Sequence, residues 1–109
     1  MSFKRHIRLE VFNKYSGRCA YCGCTLHLHN FQIDHIIPEP KNNNIANLNP
    51  SCRRCNFFKS NLTPSQFRTK LEHYFYVVQH KTPKITLLKS FNLIHFRETN
   101  VIFYYENFQ

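Results

Sequence analysis

Apolar residues near the start of the chain fall at Phe3, Ile7, Val11 and Tyr15, every fourth place, while Lys4, Arg5, Arg8 and Lys14 fall elsewhere on the helical wheel. That spacing predicts an amphipathic helix capped by Ser2 and ended by Gly17. From Thr25 to Ile37 the pattern reads as two short strands around a His29-Asn30 turn, the second strand carrying Asp34-His35. Pro38 to Asn44 is loop, because prolines and asparagines disfavour both regular elements, and Ile45 to Leu48 has room for one helical turn.

The clearest local signal is Thr63-Pro64 with Gln66, a capping box with proline at the first helical position. Phe67, Leu71, Tyr74, Phe75 and Val78 follow at helical spacing, which predicts a helix to about His80. Thr82-Pro83 is a second cap, and Ile85, Leu88 and Phe91 continue a spacing of three up to Asn92, a residue that tolerates a left-handed helix end. A weaker alternation at Leu87, Phe91, Leu93 and His95 favours a strand there; a short helix is the expected outcome. Val101 to Tyr105 is β-branched and aromatic, and predicts a hairpin with Leu93 to Arg97 across Glu98-Thr99-Asn100.

Composition changes this picture by setting a stability problem. A chain of 109 residues with 42% hydrophobic content supports one domain with a modest core, so a staple is expected. Five cysteines can supply it as disulfides or as a metal site, depending on compartment. MSFKRHIRLEVF has no secretory apolar region, and no stretch approaches the roughly 18 apolar residues of a membrane span. A cytoplasmic setting is expected, with no membrane partner, and there paired cysteines read as metal ligands. Fifteen Lys and Arg against six Asp and Glu give +9, which points to a polyanionic partner but does not by itself separate a nucleic-acid binder from a merely basic protein.

The pairs Cys19-x-x-Cys22 and Cys52-x-x-Cys55 each let two thiolates of one tight turn reach one ion, and together they complete a tetrahedron suited to zinc. Four thiolates leave no open coordination position, so this zinc is structural. Cys24 is expected to be a spare thiol, since C-x-C needs a different turn.

Between the pairs stand Asp34 and His35, with Asn47 before the second pair and Asn56 directly after it. Cleaving a phosphodiester needs a base for water, a cation for the charge growing on phosphorus and the leaving oxygen, and ligands for that cation. Asp34 and Asn56 offer the hard oxygens that suit magnesium or manganese. Taken singly, Asp34 reads as a turn residue and Asn47 or Asn56 as a helix cap, and the remaining histidines as surface or half-buried positions. Neighbours on a strand point to opposite faces, so Asp34 and His35 share one site only if the backbone departs from a regular strand.

Tyr21-Cys22-Gly23, Ile33-Asp34-His35-Ile36-Ile37-Pro38, Asn47-Leu48 and Cys52-x-x-Cys55-Asn56-x-x-Lys59 occur in the order of a known signature. The chain resembles the zinc-containing HNH endonucleases of small phage or bacterial type, over roughly residues 5–68. LLKSFNLI and VIFYYE in the tail resemble the ends of small phage-type members. The resemblance implies a ββα-metal core stapled by a structural zinc on four cysteines, and the flanking helices and small C-terminal hairpin read from the pattern complete an expected α+β fold. It implies Asp34 and Asn56 as ligands of a catalytic Mg2+ or Mn2+, His35 as general base, and Asn47 as the residue that fixes the loop and orients His35. Asn56 stands where relatives often have histidine, and Asn42-Asn43-Asn44 where they often have glycines. The expectation is one domain over 1–109, with the nuclease core at 5–68 and an extension over 69–109. The expected substrate is double-stranded DNA, met by Lys41, Arg53, Arg54 and Lys59, in a bacterial or phage-infected cell, with a homodimer possible. The competing class is a non-catalytic zinc-dependent nucleic-acid-binding module.

Overall fold

The computed structural model describes residues 3–39 and 41–108. In chain order the elements are α1 (Arg5–Asn13), β1 (Gln32–His35), a 3-10 turn (Ile45–Asn47), β2 (Leu48–Ser51), α2 (Arg53–Lys59), α3 (Pro64–Lys81), α4 (Pro83–Ser90) and a second 3-10 turn (Tyr104–Phe108). Helices with one small antiparallel sheet make this an α+β fold, and β1, β2 and α2 form a ββα unit. Two compact units divide the chain, Met1–Pro64 with Ile102–Gln109, and Ser65–Val101.

In the first unit α1 buries Val11 fully and leaves its basic residues at the surface or half-buried. Lys4 is the cap position, and the expected cap Ser2 lies outside the described residues. Past the helix end, the Gly17 N–H donates to Phe12 O at 3.0 Å with φ at +79°. A side chain at Gly17 would bring its Cβ within 2.9 Å of the Phe12 ring, so glycine closes this turn for both backbone and steric reasons. Lys14 then folds its ammonium back onto Ile45 O (3.0 Å), Leu48 O (2.6 Å) and Asn49 Oδ1 (3.3 Å), fastening the 3-10 turn and β2 to α1.

The strands pair with Asp34 opposite Asn49 and His35 opposite Leu48. This corrects the expected hairpin within residues 25–37, of which only Gln32–His35 is a strand. The first half is taken up elsewhere: Thr25 bridges Arg18, and the Leu26 N–H donates to Gly17 O at 2.7 Å. The helical turn expected at Ile45–Leu48 is present at Ile45–Asn47, and β2 follows it directly. Pro50 sits inside β2 without breaking it, because a two-stranded sheet has an open edge and the missing N–H needs no partner there. Its carbonyl accepts from the Ala20 N–H at 2.8 Å, tying the sheet to the first cysteine turn.

The C-terminal hairpin is also corrected. Leu93–Arg97 and Val101–Tyr105 hold no strand, and Tyr104–Phe108 form the 3-10 turn instead. The donors a hairpin would use are taken: the Tyr104 N–H donates to Tyr21 O (3.0 Å), the Tyr105 N–H to Ala20 O (2.8 Å), and the Phe103 N–H to Glu106 Oε1 (2.9 Å). Aromatic packing drives the choice. Phe103 is buried, and the Tyr21 ring stands edge-on to Phe103 at 5.3 Å and to Tyr105 at 5.9 Å.

In the second unit, α3 runs over the expected span, and α4 confirms a helix rather than a strand after Thr82. Asn92 takes φ +57°, and the Leu93 N–H donates back to Leu88 O at 3.0 Å, which closes that helix end. Phe75 meets Phe96 at 5.5 Å, and Arg68 Nε donates to Val101 O at 3.0 Å. Among the described residues no helix is long and apolar enough to cross a membrane.

Candidate functional site

Two turns bring the four cysteines together. In the first, the Gly23 N–H donates to Cys19 O at 3.0 Å and the Cys19 N–H to Cys24 O at 2.8 Å, with Gly23 at φ +79°. In the second, Cys52 caps α2 and its Sγ accepts from the Cys55 N–H at 3.3 Å, as the Cys19 Sγ does from the Tyr21 N–H at 3.4 Å. The sulfurs of Cys19, Cys22, Cys52 and Cys55 all lie within 4.8 Å of one another. Zinc–sulfur bonds of about 2.3 Å in a tetrahedron require sulfur–sulfur edges of about 3.8 Å. Cys22 and Cys52 stand at 3.8 Å, the length of such an edge, and the group of four could hold one metal ion. Hydrogen bonding from the Cys55 thiol holds Cys19 down to about 4 and pushes Cys55 up. A bound ion would take all four as thiolates. The Cys24 thiol, raised to about 12 chiefly by burial, stands beside Cys22 and Cys52 and is not one of the four.

Beside the sheet, Ile33, Asp34, His35, Pro38, Asn56, Ser60 and Asn61 line a cleft of about 270 Å³. Asp34 and His35 both reach it because His35 is the last residue of β1 and the chain bends at once beyond it. Asn47 makes that bend. Its backbone carbonyl accepts from the Ile36 N–H at 2.9 Å and its Oδ1 from the Ile37 N–H at 2.9 Å. Its Nδ2 donates to Ile37 O and Asn42 O, each at 3.1 Å. One buried amide therefore pins both sides of the loop between β1 and the 3-10 turn. That loop returns Asn43 to the His35 ring, where Asn43 Oδ1 lies 2.8 Å from His35 Nε2.

Asp34 is buried under the cleft, and its carboxylate is heavily engaged. Tyr21 Oη donates a short hydrogen bond to Oδ2, and Lys59 Nζ stands 3.2 Å from Oδ1 and 3.1 Å from Oδ2. Burial raises the Asp34 pKa, against the pull of Tyr21 and Lys59. The same burial, with the Asp34 charge beside it, pushes the Tyr21 phenol up. Asn49, opposite Asp34 in the sheet, is fully buried, and its Nδ2 has no hydrogen-bond partner among the described residues.

Lys59 is a correction. The sequence reading assigns it to a phosphate, yet it is fully buried, with Nζ on Asp34 and on His35 O at 2.9 Å. Its position on the inner face of α2, below Asn56, directs the ammonium into the core. Arg53, Arg54 and Lys41 are exposed. Asp34, His35 and Asn56 are brought together, and Asn47 stands behind them. Sequence reasoning missed Asn43 as a partner of His35 and Lys59 as a partner of Asp34. The asparagine run is plain in the sequence, but which of its members returns to the histidine depends on a bend no local pattern encodes.

A sequence profile described as HNH endonuclease matches residues 19–72. The chain belongs to the HNH endonuclease family. Its HNH region is 41% identical over 58 residues to a CRISPR-associated endonuclease Cas9 of Actinomyces naeslundii, covering 50% of this chain and 5% of that protein. It is 32% identical over 59 residues to the Septu protein PtuB of Bacillus thuringiensis, covering 49% of this chain and 23% of the relative. The crystal structure of the Type II-C Cas9 enzyme from Actinomyces naeslundii superposes with a TM-score of 0.58 at 35% identity, over 65% of this chain and 8% of that one. The HNH chain thus spans only a small part of the length of these relatives.

Proposed function

We propose that the protein is a metal-dependent endonuclease that hydrolyses phosphodiester bonds in double-stranded DNA. The observation that carries this reading is the convergence of Asp34, His35 and Asn56 on one cleft, in a chain of the HNH family. A carboxylate offers about four acceptor positions. Tyr21 and Lys59 occupy three on Asp34, which leaves room for a divalent cation bound through one oxygen, with the Asn56 carbonyl as a second hard ligand. Magnesium or manganese held there would neutralise charge on the phosphorus oxygens and the leaving 3′ oxygen.

The chain's own residues supply the rest. Asn43 Oδ1 accepts the His35 Nε2 proton, which leaves Nδ1 as the basic nitrogen that takes a proton from water. Asn47 holds the loop that carries Asn43, so it acts as a positioning residue. The quartet of cysteines holds structural zinc and keeps β2, α2 and the first cysteine turn in register. Arg53, Arg54 and Lys41 meet phosphates from the surface, where release of counterions favours binding. Products carry 5′ phosphate and 3′ hydroxyl ends. One such site cuts one strand, so a double-strand break takes two copies or two visits. Reduced thiols suit a bacterial cytoplasm.

The test is incubation of zinc-loaded protein with plasmid and magnesium or manganese, followed by sequencing of the ends. Nicked or linear products with 5′ phosphates support the reading. A shifted but intact plasmid contradicts it and favours a zinc-dependent binding module.

A further inference from the structure

A second groove, of about 410 Å³, opens beside the candidate active site and is lined by Phe3, Arg5, Arg8, Leu9, Leu28 and His29. One wall is Phe3 with Arg5, Arg8 and Leu9 of α1, all ahead of the HNH family match that begins at Cys19, and the other is Leu28 and His29 of the His27–Asn30 turn. The Phe3 ring joins the two sites: its centroid lies 6.2 Å from that of His35, at 44°.

Phe3 stands just before the helix cap, where an apolar residue ordinarily packs on another at the fourth helical position. In α1 that position is Arg8, so the helix does not offer Phe3 this apolar partner. Arg5 and Arg8, three apart, share a face of α1. Arg8 is held in place, with Nη2 donating to Phe31 O at 3.1 Å and its guanidinium 4.3 Å over the Phe31 ring. It spends one of five N–H donors on that bond. Arg5 is exposed, as is His29 across the groove. An aromatic face beside two guanidinium groups matches an unstacked base with its phosphates.

We propose that this groove binds an unpaired nucleotide flanking the scissile phosphate, with the base stacked on Phe3 and the backbone held by Arg5 and Arg8. The assignment of the flanking position rests on the nuclease reading, and the groove would favour DNA that is single-stranded or opened next to the cut.

The test is equilibrium binding, by fluorescence anisotropy, of the full zinc-loaded chain without magnesium. The probes are a dT 12-mer and a 12-mer of abasic residues with the same charge. Phe3→Ala should weaken binding to the dT 12-mer about tenfold and leave the abasic 12-mer unchanged. Phe3→Leu, which keeps apolar packing, should behave like Phe3→Ala. Arg5→Ala should weaken both probes and lower the slope of log affinity against log salt by about one. Equal losses for Phe3→Ala on both probes, no loss on either, or full recovery by Phe3→Leu would overturn the proposal. Because no cutting is needed, a failure here is separate from a failure of the plasmid test.

Discussion

Lys59→Met removes a fully buried ammonium while keeping most of its volume. In the folded protein that ammonium lies 3.1 Å from Asp34 Oδ2 and 2.9 Å from His35 O. At an effective dielectric constant of about 20 the charge pair alone is worth about 5 kcal/mol, against a desolvation cost of similar order. The intact pair therefore adds little net stability. Removing one partner is different, because Asp34 stays buried with Tyr21 as its remaining donor, and such losses cost about 3–5 kcal/mol. Against a typical total of about 5–15 kcal/mol, that is severe. Asp34 would rise further from a pKa that burial already raises. A carboxyl raised in the folded state binds protons there, so the penalty sets in as pH climbs above the unfolded carboxylate value of about 3.9 and is complete once pH exceeds the raised folded value. Urea unfolding followed by circular dichroism, at fixed free zinc, measures it. Asp34→Asn combined with Lys59→Met should recover most of the loss. A single Lys59→Met variant within about 1 kcal/mol of wild type at neutral pH would refute the reasoning.

Further outcomes follow from the same contacts. Cys19→Ser should lose zinc and unfold the first unit, whereas Cys24→Ser should keep one zinc per chain, as metal analysis would show. Phe103→Ala, which empties a buried ring position against Tyr21, should cost about 3–5 kcal/mol in the same unfolding assay. Asn47→Ala frees the loop that carries Asn43, and single-turnover cleavage should slow by up to about 10²-fold with DNA affinity little changed.

Elements with local start and stop chemistry are legible in the sequence alone. Pro64 and Pro83, each the first residue of its helix, mark the starts of α3 and α4 because proline at that position acts locally, although the Thr82 hydroxyl makes no capping bond and donates to Val77 O instead. The cysteine quartet is legible because each C-x-x-C turn is local and two of them share one ion. Partners set by tertiary contact are not. Leu48–Ser51 is the mate of β1 because Lys14 and Ala20 anchor it, and VIFYY turns away from a hairpin because Ala20 and Tyr21 offer carbonyls first. At the site, Asp34, His35 and Asn56 follow from an ordered family signature. Lys59 carries a charge that normally reads as surface, and only its place on the inner face of α2 turns it toward Asp34.

The most direct measurement is single-turnover cleavage of DNA by wild type and His35→Ala in magnesium, with binding measured alongside. The account predicts a rate loss of about 10²–10⁴-fold with affinity within about twofold. Cleavage by His35→Ala at close to the wild-type rate would contradict it.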